Sequence, residues 1–134
     1  MIGKKQVIKF TLPIKPRTKK NHSQLVTLKT GRQMLLPAKA YKEFEKEVVK
    51  YCNKELKHIQ QINEPINLEC HFYKDKNYKS DLVGYLQAVQ DALVKAGILY
   101  DDNTKIVRTT DGSRVEVDRE NPRIEVFITF YGED

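Results

Sequence analysis

Apolar positions along this chain recur with two different periods, and the changes between them mark out the elements. Val7-Ile8 and the run Phe10 to Leu12, closed by Pro13 and Pro16, predict a first strand. The stretch PIKPRTKKNHS that follows is polar and punctuated by proline, so it reads as a loop that contributes nothing to a core. LVTL and QMLL flank a Thr30-Gly31 turn and predict a hairpin. From Pro37 to about Lys57 the spacing lengthens to three and four, with Tyr41, Phe44, Val48, Cys52, Leu56 and Ile59 on one side: an amphipathic helix. INLECHFY predicts a central strand. A second helix should run from Ser80 to Gly97, with Leu82, Leu86, Val89, Leu93 and Ala96 inward and Gly97 as its stop. Lys105 to Arg108 and Arg123 to Phe130 predict two more strands. The turn-rich TTDGSRVEVDRENP between them suggests a short hairpin around Asp111-Gly112. The order β-ββ-α-β-α-β-β implies an α/β fold, a small mixed sheet with two main helices packed on it.

The 134 residues suit a single domain spanning 1–134, with a basic loop at 13–24. The start MIGKKQVIKF has no apolar stretch of signal-peptide type, and no run approaches 18 apolar residues, so the expectation is a cytoplasmic protein with no membrane partner. Cys52 and Cys70 both fall on predicted apolar faces and should be buried thiols. His22, His58 and His71 do not offer the short paired spacings of a zinc site.

Charge changes this picture more than composition does. Residues 1–32 hold nine Lys or Arg and no acid. Residues 1–60 hold 15 basic and four acidic residues, whereas 61–134 hold nine basic and 14 acidic. A polyanion would suit the first half, and a surplus of carboxylates marks the second. A nuclease needs both, cations to grip phosphates and carboxylates to hold the metal that hydrolyses one. On the first helix Lys39, Lys42, Lys46, Lys50 and Lys54 form a stripe. It is either a solvated face partly paired with Glu43 and Glu47 or a contact for nucleic-acid backbone.

The acids that carry chemistry are Asp81, Asp91, Asp101 and Asp102. Asp81 opens the second helix, where an aspartate can cap free amides. Asp91 stands in the otherwise apolar AVQDALVKAG, with Lys95 four residues on as an alternative partner. Asp101 and Asp102 follow the helix in YDDNTK, where one of them can serve a turn. A helix and the loop after it can bring such carboxylates to one end of a sheet, where they repel unless a cation neutralises them. Hard oxygen ligands favour Mg²⁺, with Mn²⁺ able to substitute.

SDLVGYLQAVQDALVKAGILYDDNTKIV resembles the signature region of the RusA family of Holliday junction resolvases, with PRTKKNHS matching its basic, asparagine-containing loop and PAKAYKEFEKEV its first-helix region. The resemblance spans roughly residues 6–130. It implies a homodimeric, Mg²⁺-dependent endonuclease that cuts four-way or branched DNA by paired incisions. Asp81 and Asp102 match two of the family's essential carboxylates. The middle carboxylate's position holds Val83, a frequent asparagine's position holds Gly84, and a lysine important for cleavage aligns with Gln87. The expected metal ligands are Asp81 and Asp102, with Asp91 in place of the missing carboxylate and Asp101 as a further catalytic candidate. Lys15, Arg17, Lys19, Lys20 and Asn21 are the expected DNA contacts. Val83 and Gln87 keep a second reading open, a branched-DNA-binding protein that cuts weakly or not at all. A third reading, a protein unrelated to nucleic acid, would use the acids as caps and turns.

Overall fold

A computed structural model describes residues 6–18, 24–27, 29–36, 39–77 and 79–132. Among the described residues seven strands and two helices follow in the order β1 (Val7–Leu12), β2 (Gln24–Thr27), β3 (Gln33–Leu36), α1 (Lys39–Glu55), β4 (Ile66–Lys74), α2 (Leu82–Lys95), β5 (Val107–Thr109), β6 (Arg114–Val117) and β7 (Arg123–Phe130). The architecture is the expected α/β fold. Pro37, expected to open the first helix, lies outside the described residues.

Five strands make one mixed sheet. β1 pairs antiparallel with β7, β7 antiparallel with β4, and β4 parallel with both β5 and β6. β2 and β3 pair antiparallel as a separate two-stranded sheet. The expected hairpin at Asp111-Gly112 is therefore a different structure. β5 and β6 do not pair with each other; they lie in succession along the same edge of β4, through Ile66–Asn67 and then His71–Lys74. Between those contacts the Ser113 hydroxyl replaces a ladder bond: it accepts from the Cys70 amide at 3.1 Å and donates to the Leu68 carbonyl. Asn67 holds the turn on its other side, bonding both the amide and the carbonyl of Asp111. Gly112 is required here. Its φ is +87°, and a Cβ would stand 2.7 Å from the Glu69 carboxyl carbon.

Alternation sorts the strands into two faces. Phe10 and Leu12, then Ile66, Leu68, Cys70 and Phe72, then Ile124, Val126 and Ile128 face the helices and are buried. Tyr41, Phe44, Val48 and Cys52 of α1, and Tyr85, Leu86, Val89 and Leu93 of α2, close over them in one apolar cluster. Phe72 and Tyr85 stack at 5.3 Å between ring centres. Burial pushes the Cys52 thiol up to about 11 and the Cys70 thiol higher still, so both are unreactive core residues.

The segment after β1 departs from the expectation of a coreless loop. Ile14, Pro16 and Thr18 are buried in alternation, while Lys15 and Arg17 point outward. The backbone continues the period of a strand past Pro13, and proline content concealed that continuation.

Candidate active site at the two ends of the second helix

α2 begins and ends on local signals that the sequence carries openly. Asp81 is its N-cap, in extended conformation, with a carboxylate oxygen accepting from the Val83 amide at 3.2 Å. At the other end the Gly97 amide bonds the Val94 carbonyl and the Ile98 amide bonds the Leu93 carbonyl, with Gly97 at φ +81°. That is a Schellman stop, and it turns the chain back toward the sheet. Ile98 and Leu99 are buried, and the backbone of 98–100 bonds that of Ile62 on both sides. Asp101 and Asp102 follow at once.

The topology fixes where these acids stand. Asp81 is placed at the C-terminal end of β4, because Lys74, the last residue of that strand, donates to Ser80 Oγ at 2.9 Å. Asp101 and Asp102 lie between Tyr100, bonded to Ile62, and Val107, paired with Ile66 at the N-terminal end of β4. α2 alone separates the two ends by about 20 Å at 1.5 Å per residue. β4 gives a similar figure, about 26 Å at 3.3 Å per residue. A single chain thus holds Asp81 and Asp102 apart, contrary to the expectation that helix and loop would bring them to one end of the sheet. Among the described residues, no group of three His, Cys, Asp or Glu is placed to hold a metal ion.

Both Asp81 and Asp102 are exposed. Asp101 is half-buried, and its oxygens are occupied by the Asp102 amide at 2.7 Å and by Asn103 Nδ2 at 3.1 Å. Asn103 in turn accepts from the Lys105 amide, so the loop is braced by side chains on both sides of Asp102. Asp91 sits elsewhere, in the seam between the helices. Its charge acts on Tyr41, whose hydroxyl donates to Glu45 at 3.0 Å; burial, that bond and the two acids together drive the Tyr41 phenol far above its ordinary value. The expected partner of Asp91, Lys95, instead contacts Glu45 at 2.6 Å.

Around Asp81 the structure gathers residues that sequence reasoning passed over. Lys74 continues the inward alternation Ile66, Leu68, Cys70, Phe72, and its buried ammonium reaches under the start of α2. Asp75 binds Lys15 at 2.7 Å, which commits one of the expected DNA-contacting cations to an internal pair. That bond holds the Asp75 carboxyl below its usual range. The other oxygen of Asp75 and the Thr18 hydroxyl are both buried without a hydrogen-bond partner among the described residues. The readable signal was KDK at the end of a strand, six residues before Asp81. Gly84 is explained by the same packing: a Cβ there would stand 3.2 Å from the Thr18 methyl. Lys19, Lys20 and Asn21 lie outside the described residues; Arg17 is half-exposed.

Exposed carboxylates thus stand at both ends of α2, on an α/β chain of net charge +6. A family model described as Endodeoxyribonuclease RusA matches residues 13–129, and the chain belongs to that family of DNA endonucleases. The match covers β2 through β6 and all of β7 but its last residue. A comparison with curated proteins finds no match. No described helix is long and apolar enough to cross a membrane.

Proposed function

We propose that the protein resolves four-way DNA junctions as a homodimer, each active site pairing Asp81 of one subunit with Asp102 of the partner subunit. The observation that carries this reading is the family match together with two exposed, family-matched carboxylates that one chain cannot bring together. A second copy related by a two-fold axis can set one end of α2 against the other end of its mate, and does so twice. Each end also carries an unusual exposed apolar residue: Val83, 68% exposed, beside Asp81, and Tyr100, 59% exposed, beside Asp101. Bringing the ends together covers both side chains, which accounts for a valine where the family carries an acid.

Among the described residues one chain gathers no group of three metal-ligating side chains; the paired set would supply carboxylate oxygens, which suit Mg²⁺. When bound there, Mg²⁺ would supply charge neutralisation at the scissile phosphate and a more acidic water. The chain's own residues would do the rest. Asp101 and Asn103 would support the loop that carries Asp102, the helix cap would place Asp81, and Lys74 brings buried positive charge to Ser80, the neighbour of Asp81. Two sites related by symmetry suit paired incisions across a junction.

The test is a labelled synthetic four-way junction incubated with the purified protein and Mg²⁺, with linear duplex as control. The reading expects symmetric cuts in the junction and few in the duplex, with Asp102→Asn folded, junction-binding and inactive. A parent protein that binds junctions but never cuts them would establish the binding-module reading, with Val83 and Gln87 as its cause.

A further inference from the structure

Of the two readings of the lysine stripe on α1, pairing with Glu43 and Glu47 is not seen for the lysines whose side chains are described. Among the described residues Glu43 and Glu47 take part in no ion pair, and neither do Lys46, Lys50 or Lys54. These three lysines instead border a shallow groove of about 640 Å³, floored by Val49 and Asn53 and closed on the far side by Lys95 of α2. Its one lining carboxylate, Glu45, is already held by Lys95 and by the Tyr41 hydroxyl. Like charges four residues apart repel and weaken a helix, so a row of three is a cost to the fold by itself.

We infer that this groove is a DNA-binding surface, taking the phosphate backbone of a duplex arm, separate from the carboxylates at the ends of α2. The inference rests on the nuclease reading for its choice of polyanion. The spacing fits: Lys46 to Lys54 spans about 12 Å of helix axis at 1.5 Å per residue. Three lysines over that length can neutralise up to about three phosphates of one strand, each contributing about 0.9 to the salt slope. A half-buried valine on the floor suits contact with the sugar edge between them. Lysines act here as point charges, which grip backbone without reading sequence.

The test replaces Lys46, Lys50 and Lys54 together by Gln, a good helix former of similar length. Binding of labelled four-way junction and of linear duplex is measured by anisotropy across a salt series in EDTA, with helix content checked by circular dichroism. The expected result is a fall of about two to three in the slope of log affinity against log salt for both DNAs, and about tenfold weaker binding at 0.1 M salt. A control variant, Lys9→Gln with Arg114→Gln and Arg119→Gln, removes equal charge elsewhere and should move the slope by less than one. An unchanged slope in the folded groove variant, or an equal fall in the control, overturns the inference even if the parent cuts junctions. A parent that binds both DNAs through the groove but cuts no junction removes the resolvase reading and leaves the groove standing. A parent that binds neither DNA ends both.

Discussion

The two ends of α2 each display an aspartate to solvent, yet they are built on opposite plans. At the N-terminal end Asp81 is part of the helix, capping its first turn above a buried lysine, Lys74, and against the packed segment of Ile14, Pro16 and Thr18. At the C-terminal end Asp102 belongs to no regular element and is held by its neighbours Asp101 and Asn103. Moving the first end would break the helix cap. The second could shift by rearranging a few loop bonds. A site made from both would combine a cap-held half and a loop-held half, and the distance between them is why the proposed site draws its halves from different chains.

The strongest way to break that comparison is subunit mixing. Asp81→Asn and Asp102→Asn should each reduce Mg²⁺-dependent junction cleavage by at least about a hundredfold, because each removes a charged oxygen that the reaction needs. Asparagine caps a helix as well as aspartate does, so the first variant should remain folded. When the two inactive proteins are mixed and allowed to exchange subunits, half the dimers carry one chain of each kind. In those dimers one site has lost both aspartates and the other is intact. Strand incision should return to about a quarter of the parent rate, the proportion that symmetric two-site dimers dictate. No recovery after verified exchange would put both aspartates in a site made by one chain, or in no shared site, and remove the composite site.

The next effect concerns the loop-held half. Asp101→Ala removes the acceptor for both the Asp102 amide and Asn103, while Asp101→Asn keeps an oxygen in place. The alanine variant should lose about 1 kcal/mol of stability, the typical worth of such a bond. It should also cut roughly tenfold more slowly, since misplacing one catalytic group by an ångström costs that much or more. The asparagine variant should fall between alanine and parent in both melting temperature and single-turnover rate. If alanine cuts as fast as the parent, Asp101 is a turn residue and nothing else.

Much of this architecture is legible in the sequence. The three- and four-residue spacing of Tyr41, Phe44, Val48 and Cys52 defined α1, and Asp81 and Gly97 bracketed α2, because caps and periodicity are local properties. What escaped was decided between distant segments. A turn signal at Asp111-Gly112 cannot tell whether the flanking strands pair with each other or, as here, both with β4. Proline and lysine in residues 13–18 suggested a loop, although Ile14, Pro16 and Thr18 already alternated with period two. The carboxylates could be named from the chain, but their separation depended on the direction of β4 relative to α2. The charge of Lys15 could be counted, whereas its pairing with Asp75 could not.

Gly84 sharpens the picture of the cap-held end through a near cancellation. Glycine inside a helix costs about 1 kcal/mol relative to alanine. A new Cβ, however, would press on the Thr18 methyl at 3.2 Å, and forcing a methyl into a packed contact costs about the same. Gly84→Ala should therefore change stability by less than about 0.5 kcal/mol, whereas Gly84→Ala combined with Thr18→Ser should gain close to the full propensity term. A single variant already stabilised by the whole amount would show that the Thr18 segment yields freely, and that the N-terminal end is not rigid.

The smallest effect is electrostatic and lies beside the same end. Lys15 hydrogen-bonds the ionised form of Asp75, so the folded protein holds that carboxyl below its ordinary 3.8. The proton is bound more weakly in the folded state than in the unfolded one. The pair's contribution is therefore complete above pH 3.8 and disappears as pH falls through the lower folded value. Lys15 is about a third exposed, which screens the pair and keeps its worth to roughly 0.2–1 kcal/mol. Lys15→Met should lower the unfolding midpoint in urea slightly at pH 6, and the difference from the parent should close as the pH is taken below 3. Raising the salt concentration at pH 6 should narrow it in the same direction. If the difference instead persists unchanged into acid, Lys15 supports the fold by packing its aliphatic stem against the segment over α2 rather than by its charge. Its place among the cations available to DNA would then have to be reconsidered.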